Sequence, residues 1–412
     1  MSGTGDSGSA ATGFLAVLRV REFRWLWLAD VQSLLGDQIA RVALSVLVFQ
    51  RTNSGLVTAA VYALTFLPAL VGSVLLGPLA DRLPRRTLLV GGDLIRAGLL
   101  AVMAVPDLPI AVLAALLVLA VLAGTPWSAA ESALVVDILN PRDYPLGVGL
   151  RAATSQAAQL AGFAVGGVAV AALGPQVALT VDAVTFLISA GVIRLGVHAR
   201  APIPHGDVSG GGRRRWLAGA PAVFGDRRLR LLLAFSWLLG LLVVPEGLAA
   251  PYADLLGGGP RTVGLLLAAG PTGVLVGTVV YARWLSASTR AIVLGPLAAV
   301  AGLPLLAVAT RPGLAVTCIL WAFSGACTAY QVQVVAEFVQ AIHPGIRGQG
   351  IAIASAGLLA AQGLGLLAGG VITQAATPAV AVAAAGATAS VLGSALALIR
   401  RRNQRRLPAP AD

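Results

Sequence analysis

The stretch Gly77-Pro78-Leu79-Ala80-Asp81-Arg82-Leu83-Pro84-Arg85-Arg86 interrupts a long apolar run with a dense knot of charge, and a second apolar run begins at Thr87. The segments on either side are each long enough to cross a bilayer, which takes about 20 residues of helix. Between two such segments the knot has to be a tight turn at one membrane face. Short cytoplasmic loops collect Lys and Arg, so Arg82, Arg85 and Arg86 place this turn on the cytoplasmic side.

The rest of the chain has the same character. Of 412 residues, 57% are hydrophobic and only 11% charged, with a mean hydropathy of +0.86, which leaves too little polar surface for a soluble globule. A net charge of +12 raises nucleic acid as a partner, but the basic residues alternate with apolar spans instead of forming one contiguous patch, and nucleic acid is excluded. All 29 basic residues are arginine; with abundant Ala, Gly, Leu and Val, this usage points to a bacterial gene of high G+C content. Cys318 and Cys327 lie about 13 Å apart along one expected helix, too far for a disulfide. His198, His205 and His343 lack metal-ligand spacing. No nucleophile and base pair or phosphate loop is apparent, so neither an enzyme, a cofactor nor a metal site is expected. The first dozen residues lack the basic start of a secretory signal, which leaves insertion to the first span.

Twelve apolar stretches are long enough to span, among them Leu88 to Val105, Ile110 to Asp137 and Pro378 to Ile399. Short turns rich in Pro and Gly separate them. Only Arg51, Arg261 and Arg311 fall on outer loops and four arginines fall within spans; the remainder gather on inner segments, which puts both termini in the cytoplasm. The expected fold is an all-α membrane protein of twelve transmembrane helices. Its expected divisions are an N-tail over 1–24, a first six-helix bundle over 25–197, a cytoplasmic linker over 198–228, a second bundle over 229–399 and a C-tail over 400–412. Within the linker, Trp216-Leu217 and Val223-Phe224 are expected at the lipid surface. Ser73/Gly77, Gly162/Gly166, Gly273/Gly277 and Gly365/Gly369 recur at every third span as small-xxx-small pairs that let helices approach closely.

A charge near the bilayer centre costs about 2.5–3.5 kcal/mol even on insertion scales, so each one asks for a reason. In the first span Asp30, Leu34, Asp37, Arg41 and Ser45 follow a three-and-four spacing and share a face. Asp37 lies about 18 Å past Trp25 and Trp27, near mid-membrane. It is expected to pair with Arg41 one turn on and to take and release a proton, a static ion pair being the alternative. Asp30, nearer the inner face, is expected to partner an inner-loop arginine. In the seventh span Pro245 precedes Glu246 and Pro251 follows; proline opens a helix, and broken helices are where transporters place their sites. Glu246 is therefore a proton or cationic-substrate contact, or else a partner for loosened backbone. Thr317, Trp321, Ser324, Thr328 and Gln331 form a polar and aromatic stripe on the tenth span, expected to line a wet cavity; satisfaction by a neighbouring helix is the alternative. Glu131 on the fourth span and Arg151 on the fifth are expected to form a salt bridge at an inner gate, with Gln159 on the same face as Arg151. Asp93, Arg96 and Glu337 are placed near the cytoplasmic end as structural charges. Asp182 sits deeper, about 10 Å from the outer start of the sixth span, and is a further candidate for coupling.

The opening stretch resembles the signature Gly-x-x-x-Asp-Arg-x-Gly-Arg-Arg of the major facilitator superfamily, through Gly77, Asp81, Arg82, Arg85 and Arg86, with Pro84 where the signature has a second glycine. Phe23-Arg24-Trp25-Leu26-Trp27-Leu28, Leu35-Gly36-Asp37, Asp93-Leu94-Ile95-Arg96-Ala97 and Gln362-Gly363-Leu364-Gly365 resemble the branch containing the enterobactin exporter and related bacterial drug and natural-product effluxers. Gly162-Phe163-Ala164-Val165-Gly166-Gly167 is similar to the fifth-span motif of proton antiporters, with Phe163 in place of its proline. The resemblance implies two pseudo-symmetric bundles that rock around a cavity lined by spans one, four, seven and ten. It implies that the small-residue pairs join the halves, and that Asp81 and its neighbouring arginines latch the inner face against the start of span eleven near Arg347.

The expected function is a secondary active transporter, working by alternating access as a proton-coupled efflux pump for amphipathic small molecules. A facilitator or importer of a small metabolite, and a transport-inactive sensor or scaffold, are the alternatives. The expected setting is a monomer in the bacterial cytoplasmic membrane, with a small-molecule substrate, protons and the lipid bilayer as partners.

Overall fold

A computed structural model describes residues 17–77, 79–200 and 219–405, which are helical apart from short connections. The principal helices are α1 (Arg21–Thr52), α2 (Gly55–Leu75), α3 (Arg85–Met103), α4 (Ile110–Ile138), α5 (Tyr144–Leu173) and α6 (Pro175–Gly196). After them come α7 (Arg227–Trp237, Leu239–Leu242, Val244–Gly247 and Ala249–Leu255), α8 (Pro260–Trp284), α9 (Ala287–Thr310), α10 (Leu314–Ala341), α11 (Arg347–Ala375) and α12 (Pro378–Arg405). Among the described residues, eleven helices are long and apolar enough to cross a membrane. The exception among the twelve is α3, whose 19 residues include Arg85, Arg86, Asp93 and Arg96. It is a span in length but not in composition, and the charges that disqualify it turn out to matter.

Large apolar side chains stay exposed on the outer faces of these helices, as at Leu195, Ile292, Leu75 and Val391. A soluble protein would bury them, whereas a helix whose backbone bonds are all internal can present them to lipid.

The chain divides into two compact units: residues up to 44 with 71–200, and residues 45–70 with 219–405. The outer part of α1 and the first turns of α2 thus group with α7 to α12. In the first unit α3 packs along α4 and α6, around a core that includes Phe23, Leu26, Leu89, Trp127, Leu134 and Ile193. In the second, α8 lies along α10 and α9 along α12, around Leu232, Phe235, Leu294, Tyr330, Val334 and Phe338.

The glycines of the small-residue pairs serve close packing inside a unit. A Cβ at Gly162 or Gly166 would press into Gln38 or Val42 of α1; at Gly273 or Gly277 it would strike the Ala322 or Ala326 carbonyl of α10; at Gly365 it would strike the Gly240 carbonyl of α7. Where backbones come this close, a hydrogen is the only side chain that fits.

Helix breaks are concentrated in the second unit. At Pro245 and Pro251 no amide is available to continue the ladder, and around them α7 contracts to i→i−3 bonds, Leu241 N to Leu238 O at 3.1 Å and Glu246 N to Val243 O at 3.0 Å. In α9 the same contraction before Leu305, whose amide turns to Gly302 O at 3.1 Å, leaves the Ala301 carbonyl for another donor. Trp216-Leu217 lie outside the described residues. Val223 corrects the lipid-surface expectation: it is fully buried, carried into the second core by the short helix Ala220–Gly225, while Phe224 stays exposed beside Trp237 at 6.5 Å between rings.

Candidate functional site

In the first unit the charges within the spans form two groups. Midway along α1, Asp37 is held by Arg96 of α3, whose Nη2 donates to both carboxylate oxygens at 2.8 and 2.9 Å. The partner expected from spacing is Arg41, whereas the ion pair seen is with Arg96 of α3. Spacing on one helix says which residues share a face, and α3 is the element that comes to meet this one. Arg96, expected near an end of its span, lies eleven residues, or about 16 Å, from the start of α3. The Arg96 guanidinium stacks on the Phe186 ring of α6 at 3.8 Å. Asp37 keeps 30% of its side chain exposed and Arg96 15%.

Behind the pair are two fully buried carboxylates. Asp93 Oδ2 accepts from Ser189 Oγ at 2.6 Å. Asp182 Oδ1 accepts from Thr185 Oγ1 at 3.1 Å. Asp93 Oδ1 and Asp182 Oδ2 have no hydrogen-bond donor among the described residues. Gly36 lets α6 come so close to α1 that a Cβ there would overlap Asp182 and Thr185.

The second group lies nearer the start of α1. Arg151 of α5 bridges Asp30 of α1, Nε to Oδ2 at 3.4 Å, and Glu131 of α4 through Nη2. The expected Glu131–Arg151 bridge is therefore present, and the partner of Asp30 is this span arginine instead of a loop arginine. Two buried acids share one guanidinium, a cation whose planar fork suits that use. Gln159, two turns along α5, is half-buried and outside both groups.

The signature residues anchor helix ends. Arg85 pairs with Asp137 and donates to the Ala133 carbonyl of α4 at 3.2 Å, and Arg86 donates to the Arg194 carbonyl at the end of α6. At Gly77 a Cβ would run into the Ser73 carbonyl oxygen. Arg82 and Arg347 are exposed. The Asp81 side chain, and with it the expected latch, lies outside the described residues.

In the second unit Glu246 sits in the third piece of α7 and accepts from the Tyr62 hydroxyl of α2 at 3.1 Å, beside a small apolar cluster of Tyr62, Phe66, Val243 and Leu366. The α10 stripe finds hydrogen-bond partners within the protein, as its alternative reading has it. Thr317 meets Tyr252 at 3.3 Å; Ser324 donates to the freed Ala301 carbonyl at 2.7 Å; Thr328 donates back to Gly325; and Gln331 donates to Phe235 O at 3.0 Å, beside the first break in α7. Trp321 is buried, its ring 5.8 Å from that of Tyr252. The stripe supplies donors to carbonyls that the breaks expose, because backbone groups in a membrane have no water to turn to. At the inner end Arg400 of α12 holds Glu337 through two bonds of 2.7 and 2.9 Å, in the structural role expected of that acid.

Solved structures with this fold are transporters. The nucleoside transporter NupG superposes with a TM-score of 0.73 at 14% identity over 92% of this chain and 99% of its own. A bacterial homologue of the human lysosomal transporter Spinster gives 0.69 at 12% over 94% and 98%, and the POT family transporter PepTSo gives 0.73 at 13% over 94% and 99%. At these identities the likeness is one of fold. Among curated proteins no sequence relative matches. A family described as transmembrane secretion effector matches residues 12–408, almost the whole sequence. The chain belongs to that family, within the major facilitator superfamily, and is a membrane transporter of its type.

Proposed function

We propose that the protein is a secondary active exporter that couples the efflux of amphipathic small molecules to protons, acting as a monomer in the bacterial cytoplasmic membrane with both termini inside. The observation that carries this reading is the partly exposed Asp37–Arg96 pair at the middle of α1. Such a pair holds only while both partners are charged, and the cost of burying its members apart is several kcal/mol per ion by general estimates. A proton on Asp37 cancels its attraction for Arg96, and so biases whichever conformation the pair stabilises. Glu246, on a broken helix and accepting from the Tyr62 hydroxyl, is the second acid proposed for the cycle.

The test is flux of ethidium, an amphipathic organic cation, in proteoliposomes under an imposed pH gradient. Gradient-driven flux is expected in the intact protein, with a loss of tenfold or more in Asp37→Asn and a smaller one in Glu246→Gln. Flux indifferent to the gradient favours a facilitator, and no flux of any cargo tried favours a sensor or scaffold. Either result removes the proton-coupled reading.

A further inference from the structure

The first unit places one guanidinium among three carboxylates. Arg96 touches Asp37 directly. Asp93 lies three residues before it on the same helix and feels its charge. Asp182 feels both Arg96 and Asp37 and stands one turn before Phe186, the ring on which the guanidinium rests. Four residues beyond Asp37, α1 also carries Arg41. From α1 come Asp37 and the Gln32 amide, which is spent on the Thr185 carbonyl at 2.7 Å. From α4 comes the Trp127 indole, beside Asp93 but without hydrogen-bond geometry. On α6 are the hydroxyls of Thr185 and Ser189. Arg151 of α5 is engaged by Asp30 and Glu131. The donor-less oxygen of Asp182 belongs to a fully buried group one turn from the ring on which Arg96 rests.

We infer that Arg96 is a shared counter-charge, and that Asp182 is the station to which it turns when Asp37 is neutralised by a proton or by the cationic end of a cargo. The inference rests on the coupled-transport reading above and makes Asp182 a positioning residue for the coupling step. The movement is short. Phe186 holds the flat face of the guanidinium, an attraction that survives rotation of its edge, and the edge swings from α1 toward the face of α6 that carries Asp182, Thr185 and Ser189. The proton comes from water onto a carboxylate oxygen of Asp37, and no bond other than that O–H is made.

The test is a double-mutant cycle read by thermal unfolding of the purified full-length protein in detergent, which needs no transport. In the native background, where Arg96 is satisfied by Asp37, Asp182→Asn is expected to leave the melting temperature unchanged or raise it. In the Asp37→Asn background, where Arg96 depends on Asp182, the same substitution is expected to lower it. An equal effect in both backgrounds overturns the inference. If the double variant cannot be purified, gradient-driven ethidium efflux decides: Asp182→Asn is expected to slow it tenfold or more and Asp182→Glu to restore it, and equal rates in the two variants overturn the idea. A non-additive cycle alongside gradient-indifferent flux would retain the shared guanidinium and discard proton coupling; an additive cycle with gradient-driven flux does the reverse.

Discussion

At the scale of single residues, the charges in the first unit work by sharing. Arg151 neutralises two acids from two other helices, so Arg151→Leu leaves Asp30 and Glu131 buried without a cation and is expected to cost on the order of 3 kcal/mol. Glu131→Gln, which keeps shape and removes one charge, is expected to cost much less; equal shifts in the thermal midpoint for the two would contradict sharing. Arg96→Lys is a second test, because lysine keeps the charge but loses both the two-oxygen grip and the stacking on Phe186. Gradient-driven flux is expected to fall although net charge is unchanged, and flux at the native rate would show that charge alone suffices. Several of these residues were legible before the fold was known: Asp37, Glu131, Arg151 and Glu246 stand out as ionisable groups inside apolar runs. Their partners were harder to read. Arg96 was set near a span end although the expected limits Leu88 to Val105 already put it mid-span, and Asp37 was given a neighbour on its own helix because helical spacing carries no information about a third helix.

At the scale of elements, helix limits follow hydropathy closely where polar turns bound them. The fourth span was expected from Ile110 to Asp137 and runs Ile110–Ile138. Limits fail where charge continues the helix into water, as at α12, which passes Ile399 and ends at Arg405 because Arg400 is held by Glu337. The α10 stripe was seen but its purpose was not, since the carbonyls it serves are opened by breaks in α7 and α9 that have no mark on α10. Ser324→Ala should strand the Ala301 carbonyl and cost about 1–3 kcal/mol; a midpoint within error of the native protein would mean another donor replaces it. Close approach gives a matched pair of tests. Gly273→Ala puts a methyl against the Ala322 carbonyl, whereas Gly98→Ala meets nothing within 4 Å. The first is expected to destabilise by roughly 1–3 kcal/mol and the second to be neutral or to stabilise by up to about 1 kcal/mol. A reversed order in thermal unfolding would count against the packing described for α8 and α10.

At the scale of the whole molecule, fold class and membrane character were plain from composition and from one ten-residue stretch, because lipid restricts the possible architectures so severely. The grouping of 45–70 with the later helices was not, since nothing in a helix's own sequence says where along its length it changes neighbours. Orientation has a direct check. With Cys318 and Cys327 replaced by serine, Ser288→Cys in the first turn of α9 is expected to be shielded from a membrane-impermeant thiol reagent added to intact cells, and labelled once the cells are opened; labelling in intact cells would reverse the assignment of faces. The segmented course of α7 has a consequence of another kind. A span in four pieces holds its central amides by tighter-wound bonds of poorer geometry than the unbroken α4 or α5, so in heavy water its core peptides should take up deuterium early, and the isotope would trace from within the bilayer the joint about which this span bends.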